Sequence, residues 1–161
     1  EILEKIQKHF DITNLSPNVD VIETFLSTNK TSHAFVLYDG TKAYGLLLKD
    51  EKTVLSNPNN TNSDEVRLLD VVILRDFLFK NLLNTGNLEM NDVFYERSVR
   101  SAMEKIDNRQ AKLAFLINPI DPAMVWQIAR KRERLPEKST DFYPKPVSGL
   151  VMMDIETEDK L

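Results

Sequence analysis

The chain contains no cysteine, so disulfide bonds and thiolate nucleophiles are excluded. Histidine is also scarce. His9 and His33 are the only two, which argues against a zinc site and gives a Ser-His-Asp triad no support. The four glycines stand apart at positions 40, 45, 86 and 149, so none belongs to a glycine-rich phosphate loop. Because the common catalytic constellations are missing, we do not expect this chain alone to be an enzyme.

Long apolar runs and net positive charge are missing as well. No stretch approaches the roughly 20 apolar residues of a membrane helix, and the N-terminus does not read as a secretion signal. The 21 Lys and Arg residues are outnumbered by 25 Asp and Glu, which gives a net charge of −4. Nucleic-acid binding needs a positive field at the phosphates. These features predict a cytoplasmic protein with no membrane partner and no nucleic-acid partner.

The chain has the length and composition of one globular domain. Its 161 residues are 42% hydrophobic and 29% charged, and a chain of this size buries roughly 70% of the surface that its unfolded form exposes. We therefore expect a single domain over residues 1–161 that folds without a disulfide or a metal. Because the chain opens at Glu1 inside an amphipathic pattern, we expect it to be the C-terminal fragment of a longer protein.

The first half of the sequence predicts two helices and a hairpin. Apolar residues at helical spacing predict helices over about 1–10 and about 18–28. Asp39-Gly40 between two apolar runs is a strong hairpin signal, which predicts antiparallel strands over 34–38 and 43–49. A short third strand is expected over 52–55.

The second half alternates helices and strands. Cap residues and apolar spacing predict these elements in order: a helix that Asp70 caps and Gly86 ends, a strand at 92–96, a helix at 98–108, a strand at 112–117, a helix with Asp121 as cap and Pro122 as first residue, and a strand at about 149–155. Such a β-α-β-α-β order favours parallel pairing. The predicted fold class is α+β, a single domain whose mixed sheet combines an antiparallel hairpin with a β-α-β-α-β second half covered by helices.

The most unusual stretch is RLPEKSTDFYPKPVSGL at residues 134–150, which has too many prolines for an ordinary connection between a helix and a strand. Positive charge gathers around its start. Residues 130–145 hold six Lys and Arg against three acids, a local balance of +3 in an acidic chain. Serine and threonine hydroxyls beside lysines suit phosphate or carboxylate oxygens, and prolines reduce the entropy lost on binding. The pattern predicts a rigid anion-binding loop.

A structural interpretation fits the same residues equally well. Cations at the end of a helix interact favourably with the negative end of its dipole, so residues 130–134 need no ligand to explain them. The residues that follow also suit a long crossover whose polar groups bond the domain's own backbone. The sequence leaves both the anion site and this structural strap open.

The stretch also resembles the end of a bacterial family called "domain of unknown function 1015". The resemblance rests on Leu-Pro-Glu-Lys-Ser-Thr at 135–140, Phe142, Pro-Lys at 144–145 and Ser-Gly-Leu at 148–150, together with the strand end Ala-Phe-Leu-Ile-Asn-Pro at 114–119. Asp70-Val71 before a Leu-rich helix fits as well. Leu135 stands where the family has Met, and Glu137 where it has a second Pro. The similarity covers nearly the whole chain, as the C-terminal half of the family.

The resemblance implies an accessory domain of a ParB-like parent protein, of a kind that includes kinases. Full-length relatives carry an N-terminal Ala-Asp-Gly-His-His-Arg motif, similar to the phosphate-handling signature of ParB-like nucleotide-dependent enzymes, and this motif is absent here. The partner it implies is the parent's own N-terminal half. The resemblance does not identify a cofactor. It suggests a nucleotide or phosphate bound by the full-length parent. A phosphate-containing small molecule would then be the ligand.

The candidate ligand-binding residues lie in and beside the Lys-Ser-Thr and Pro-Lys motifs. Lys138 and Lys145 would supply charge, Ser139 and Thr140 would donate hydrogen bonds, and Tyr143 would form a wall. The full predicted set is Arg134, Lys138, Ser139, Thr140, Tyr143, Lys145, Ser148 and Gly149, with glycine permitting a close backbone approach. No catalytic residue and no metal ligand is predicted.

Overall fold

The computed structural model describes residues 2–56, 61–85, 93–136 and 139–140. Within them lie four strands: β1 (Phe10–Leu15), β2 (Ala34–Tyr38), β3 (Ala43–Leu48) and β4 (Ala114–Ile117). The α-helices of the same residues are α1 (Ile2–Ile6), α2 (Val19–Thr28), α3 (Glu51–Leu55), α4 (Asp64–Arg67), α5 (Asp70–Val72), α6 (Val99–Asp107) and α7 (Pro122–Arg130). A π-helix, Ile73–Leu82, continues α5 without a break.

The four described strands form one antiparallel sheet in the order β1-β3-β2-β4. The hairpin of β2 and β3 is confirmed, with Ala34 opposite Leu47 and Tyr38 opposite Ala43, and the α+β class is confirmed. The predicted parallel pairing is wrong for these strands, because β4 pairs antiparallel with β2. That prediction rested on a β-α-β-α-β order, and β4 is the only one of its three strands that the described residues contain.

Alternate residues of each strand point to opposite faces of the sheet and build two separate cores. On β2, Phe35 and Leu37 belong to the first core cluster, whereas Ala34, Val36 and Tyr38 belong to the second. The first face is covered by α1, α3 and the π-helix. The second is covered by α2 and α6. The sheet is therefore the middle of three layers, which is why every residue of β2 is buried.

A third, smaller cluster lies where α4, α5 and α7 meet. Its buried members are Val66, Leu69, Val72 and Ile128, with Leu135 packed against them. Trp126, on the same helix as Ile128, is 67% exposed. Its position on α7 faces away from the cluster.

Two local predictions fail at the first core. Phe10 was assigned to the face of an opening helix, but α1 ends at Ile6 and Phe10 begins β1. It is buried all the same, at 1% exposure, because β1 pairs with β3 and turns the residue inward. Residues 52–55, predicted as a strand, lie in α3, whose first turn Asp50 caps by accepting a hydrogen bond from the Lys52 amide at 2.9 Å.

The helix predicted from Asp70 is present, but its cap and its winding differ. Leu69 is the N-cap residue and Asp70 the first helical residue, so the Asp70 carboxylate does not cap the helix and bonds His33 instead. From Ile73 the hydrogen bonds run i to i+5, as in the 2.9 Å bond from the Leu83 amide to the Leu78 carbonyl. This wider winding changes which side chains face inward. Val72, Ile73, Phe77 and Leu78 are buried, while Val71, Leu74 and Leu82 are only partly buried.

Three further predictions concern the second half. The helix at 98–108 is confirmed as α6, whose N-cap Ser98 accepts a hydrogen bond from the Ser101 amide. Residues 93–96, predicted as part of a strand, form no regular element, because they pair with none of the described strands. The strand predicted at 149–155 and the helix end at Gly86 lie outside the described residues. Among the described helices, none is both long enough and apolar enough to cross a membrane.

Candidate functional site

The segment singled out by the sequence begins where α7 ends. Asp121 caps this helix by accepting a hydrogen bond from the Ala123 amide at 2.8 Å, and Pro122 takes the first position, as predicted. The helix stops at Arg130, and Arg132 turns the chain with a φ of +59°. The basic residues therefore stand at the carboxyl end of α7, where the helix dipole favours positive charge.

Polar contacts fasten this basic turn to α4. The Lys131 ammonium donates a short hydrogen bond to the Glu65 carboxylate, and the Glu133 carboxylate accepts one from the Ser63 backbone amide at 3.0 Å. The hydrogen bond from Lys131 lowers the pKa of Glu65 to about 2. Both side chains reach solvent, so water and salt screen the pair. The chain then continues through Leu135, which packs onto the third core cluster.

Of the eight predicted ligand-binding residues, three are described. Arg134 and Thr140 are exposed, and Ser139 is half-buried. The Ser139 hydroxyl donates to the Pro136 carbonyl, which also accepts from the Ser139 amide at 3.3 Å. This hydroxyl therefore closes a local turn. The other five predicted residues lie outside the described residues: Lys138, Tyr143, Lys145, Ser148 and Gly149.

A second polar constellation, which the sequence did not indicate, surrounds His33. The residue lies just before β2 with a φ of +45°. Its Nδ1 lies 2.8 Å from an Asp70 carboxylate oxygen, and its Nε2 lies 3.4 Å from a Glu51 carboxylate oxygen. The His33 and Asp70 side chains are mostly buried, at 19% and 16% exposure, whereas Glu51 is 56% exposed. The ring thus bridges the first residues of α3 and α5.

The two carboxylates favour protonation of this ring. The hydrogen bond with Asp70 raises the pKa of His33 above its ordinary value, Glu51 adds to the rise, and burial opposes it. Because Asp70 and Glu51 approach opposite nitrogens of the imidazole, they do not converge on a common point. Within the part of the chain that the structure describes, no group of three or more His, Cys, Asp or Glu side chains is arranged to hold a metal ion.

Only tertiary contacts bring these three side chains together. His33 lies 37 residues from Asp70 along the chain, and no motif spacing connects them. Asp70 was noticed in the sequence, but as a helix cap. The one local signal was a histidine directly before a predicted strand, which is not specific.

A large cleft runs beside β4, which is one of the two edge strands of the described sheet. It encloses about 1300 Å³ between β4, α2, α6 and residues 93–98. Phe94 and Tyr95 are 54% and 59% exposed nearby, with the Lys105 ammonium 4.8 Å from the centre of the Phe94 ring. The charged lining residues are mostly basic: Lys5, Arg97, Lys105 and Lys112, against Glu23 and Glu96.

No protein-family model, curated protein or solved structure matches this chain. The resemblance to the "domain of unknown function 1015" family, and the ParB-like parent that it implies, therefore stay predictions.

Proposed function

We propose that this domain is a non-catalytic structural and protein-interaction module, an accessory part of a longer bacterial protein. The observation that carries the proposal is the use of the polar groups after α7. Lys131 binds Glu65, Glu133 binds the Ser63 amide, and Ser139 binds the Pro136 carbonyl. In the described part of residues 130–140, these groups have partners within the domain. They support the strap interpretation over a ligand site.

A double-mutant cycle tests the strap. Lys131→Gln, Glu65→Gln and the double variant should each lower the denaturant midpoint of unfolding slightly, and the double variant should lose less than the sum of the singles. The coupling should shrink at high salt, because both side chains reach solvent. Lys112→Gln, on an exposed lysine elsewhere, is the matched control. Strictly additive effects would show that this contact does not hold the segment.

A second candidate function is anion binding by the same segment, and two exposed side chains favour it. Arg134 and Thr140 both face solvent, close to the basic turn at the end of α7. Thermal-shift titrations with phosphate, ATP, ADP and phosphoserine, each with and without magnesium, measure binding by mass action. If an anion raises the melting temperature and Arg134→Ala with Thr140→Ala abolishes the rise, the strap is also a ligand site. If none of the anions stabilises the chain, this second function is excluded.

The partner surface that we propose is the cleft beside β4, and its occupant is the N-terminal half of the parent. Exposed aromatic side chains are typical of protein interaction sites. Phe94 lines this cleft, and the exposed Tyr95 follows it in the chain. Its mostly basic lining favours an apolar segment flanked by acids. Binding of the parent's separate N-terminal half should weaken at least tenfold in Phe94→Ser with Tyr95→Ser, whereas Trp126→Ser, on another exposed aromatic, should leave it unchanged. Equal binding by the unmodified chain, the Phe94→Ser with Tyr95→Ser variant and the Trp126→Ser variant would rule out this surface.

A further inference from the structure

The imidazole of His33 lies between two carboxylates, one at each ring nitrogen. Asp70 approaches Nδ1 at 2.8 Å and Glu51 approaches Nε2 at 3.4 Å. An ionised carboxylate only accepts hydrogen bonds, and a neutral imidazole has a single N–H to donate. A neutral ring can therefore satisfy one of these partners, whereas the imidazolium satisfies both.

Burial makes the two partners unequal. Asp70 is mostly buried at the first residue of α5, where the positive end of the helix also favours its carboxylate. Glu51 is more than half exposed and can turn to water. When the ring loses a proton, the remaining N–H should therefore stay with Asp70, and the contact with Glu51 should break.

The contact with Glu51 attaches the near end of α3 to the domain, and another side chain attaches its far end. At the far end of this helix, Arg67 donates hydrogen bonds to the Val54 and Leu55 carbonyls. At the near end, His33 contacts Glu51 in the first turn. Val54 places the helix in the first core cluster. Loss of the near contact should loosen the first turn of α3 while its other end remains attached.

We propose that His33 is a pH-operated latch, which fastens the first turn of α3 to the start of α5 when its ring is protonated and releases α3 when its ring is neutral.

Three other charged side chains lie around this site. Lys49, Asp50 and Lys52 line the same shallow pocket. Lys49 donates to the Gln7 carbonyl at 2.7 Å and lies 3.7 Å from Asp11, and Asp50 caps α3. Asp70 and Glu51 raise the pKa of His33. The latch should therefore be closed below about pH 6.5 and should open as the pH rises through the higher pKa of the folded state.

Backbone hydrogen exchange of the intact chain at pH 5.5 and 8.5, corrected for intrinsic rates, tests the latch. We expect the α3 amides to open more often at pH 8.5, with about a tenfold change for each pH unit that separates the folded and open pKa values. Amides of α6, distant from His33, are the internal reference. Equal α3 protection at both pH values would overturn the proposal.

Two variants and one control separate the latch from general instability. His33→Asn removes the titration and suits a positive φ, because asparagine tolerates that region. Glu51→Gln removes one partner on an exposed side chain and should fold normally. Both variants should lose the pH dependence of α3 exchange. His9→Asn, on the other histidine, whose ring packs edge-on against Phe77, should keep it. If Glu51→Gln keeps the full dependence, His33 does not act through α3 and the latch is disproved.

Discussion

Tyr38 shows how a single hydroxyl connects two layers of this molecule. Its ring is buried in the second core cluster, and its hydroxyl donates a 2.7 Å hydrogen bond to the Asp107 carboxylate. Asp107 is the last residue of α6, where a negative charge opposes the helix dipole. The donated hydrogen bond offsets this repulsion and ties α6 to β2.

We expect Tyr38→Phe to lower the free energy of unfolding by about 1–2 kcal/mol, because one charge-assisted hydrogen bond is lost while Asp107 stays accessible to water. Chemical denaturation measures the change. The contact with Asp107 raises the pKa of Tyr38 from 10.0 to about 12. Its stabilising effect is therefore complete below pH 10 and is lost as the pH rises through about 12.

Tyr44 is the matched control for this prediction. It lies opposite Leu37 in the neighbouring strand and makes no side-chain hydrogen bond among the described contacts. Tyr44→Phe should change stability by less than about 0.5 kcal/mol. Equal losses in the two variants would mean that the hydroxyl of Tyr38 has no special role.

At the scale of elements, α2 packs onto the sheet through a place that only glycine permits. A Cβ built on Gly45 of β3 would lie 2.5 Å from the Phe25 ring of α2. The glycine is therefore set by close approach of a helix to a strand, which a sequence of strand residues does not reveal.

Gly45→Ala should destabilise the domain by about 1–3 kcal/mol, because the added methyl forces the Phe25 ring out of its position. Thermal or chemical unfolding measures the loss. Phe25→Leu in the same chain should recover part of it by opening space beside the methyl. A double variant that is no more stable than Gly45→Ala would locate the strain elsewhere.

At the scale of the whole molecule, strand β2 lies between the two main core clusters and contributes buried side chains to both. Phe35 faces the first core cluster and Val36 the second, and both are fully buried. The layers on either side of the sheet should therefore lose stability together when β2 is weakened.

We expect Phe35→Ala to cost about 3–5 kcal/mol and to speed hydrogen exchange in α6 as well as in the π-helix. The α6 helix packs on the opposite face from Phe35, so its response reports coupling through the sheet. Val36→Ala, on the other face, should raise exchange in the π-helix in the same way. Exchange confined to the mutated side would show that the two cores unfold independently.

The sequence by itself determined the features that depend on neighbouring residues. The Asp39-Gly40 turn, the helix at 98–108 and the Asp121-Pro122 start of α7 were predicted correctly, because turns, caps and helical spacing depend on atoms a few residues away. Apolar periodicity identifies inward residues even when, as with Phe10, the element is assigned wrongly.

Tertiary structure alone decided the strand directions, the π-helical winding and the partners of polar side chains. The residues of β1 form a strand because they pair with β3. The Asp70 side chain bonds His33 rather than the backbone of its own helix. Likewise, only the folded chain brings Glu65 and Ser63 beside the basic turn after α7. The energies of these contacts depend on groups far apart in the chain, so only the folded arrangement selects among the local alternatives.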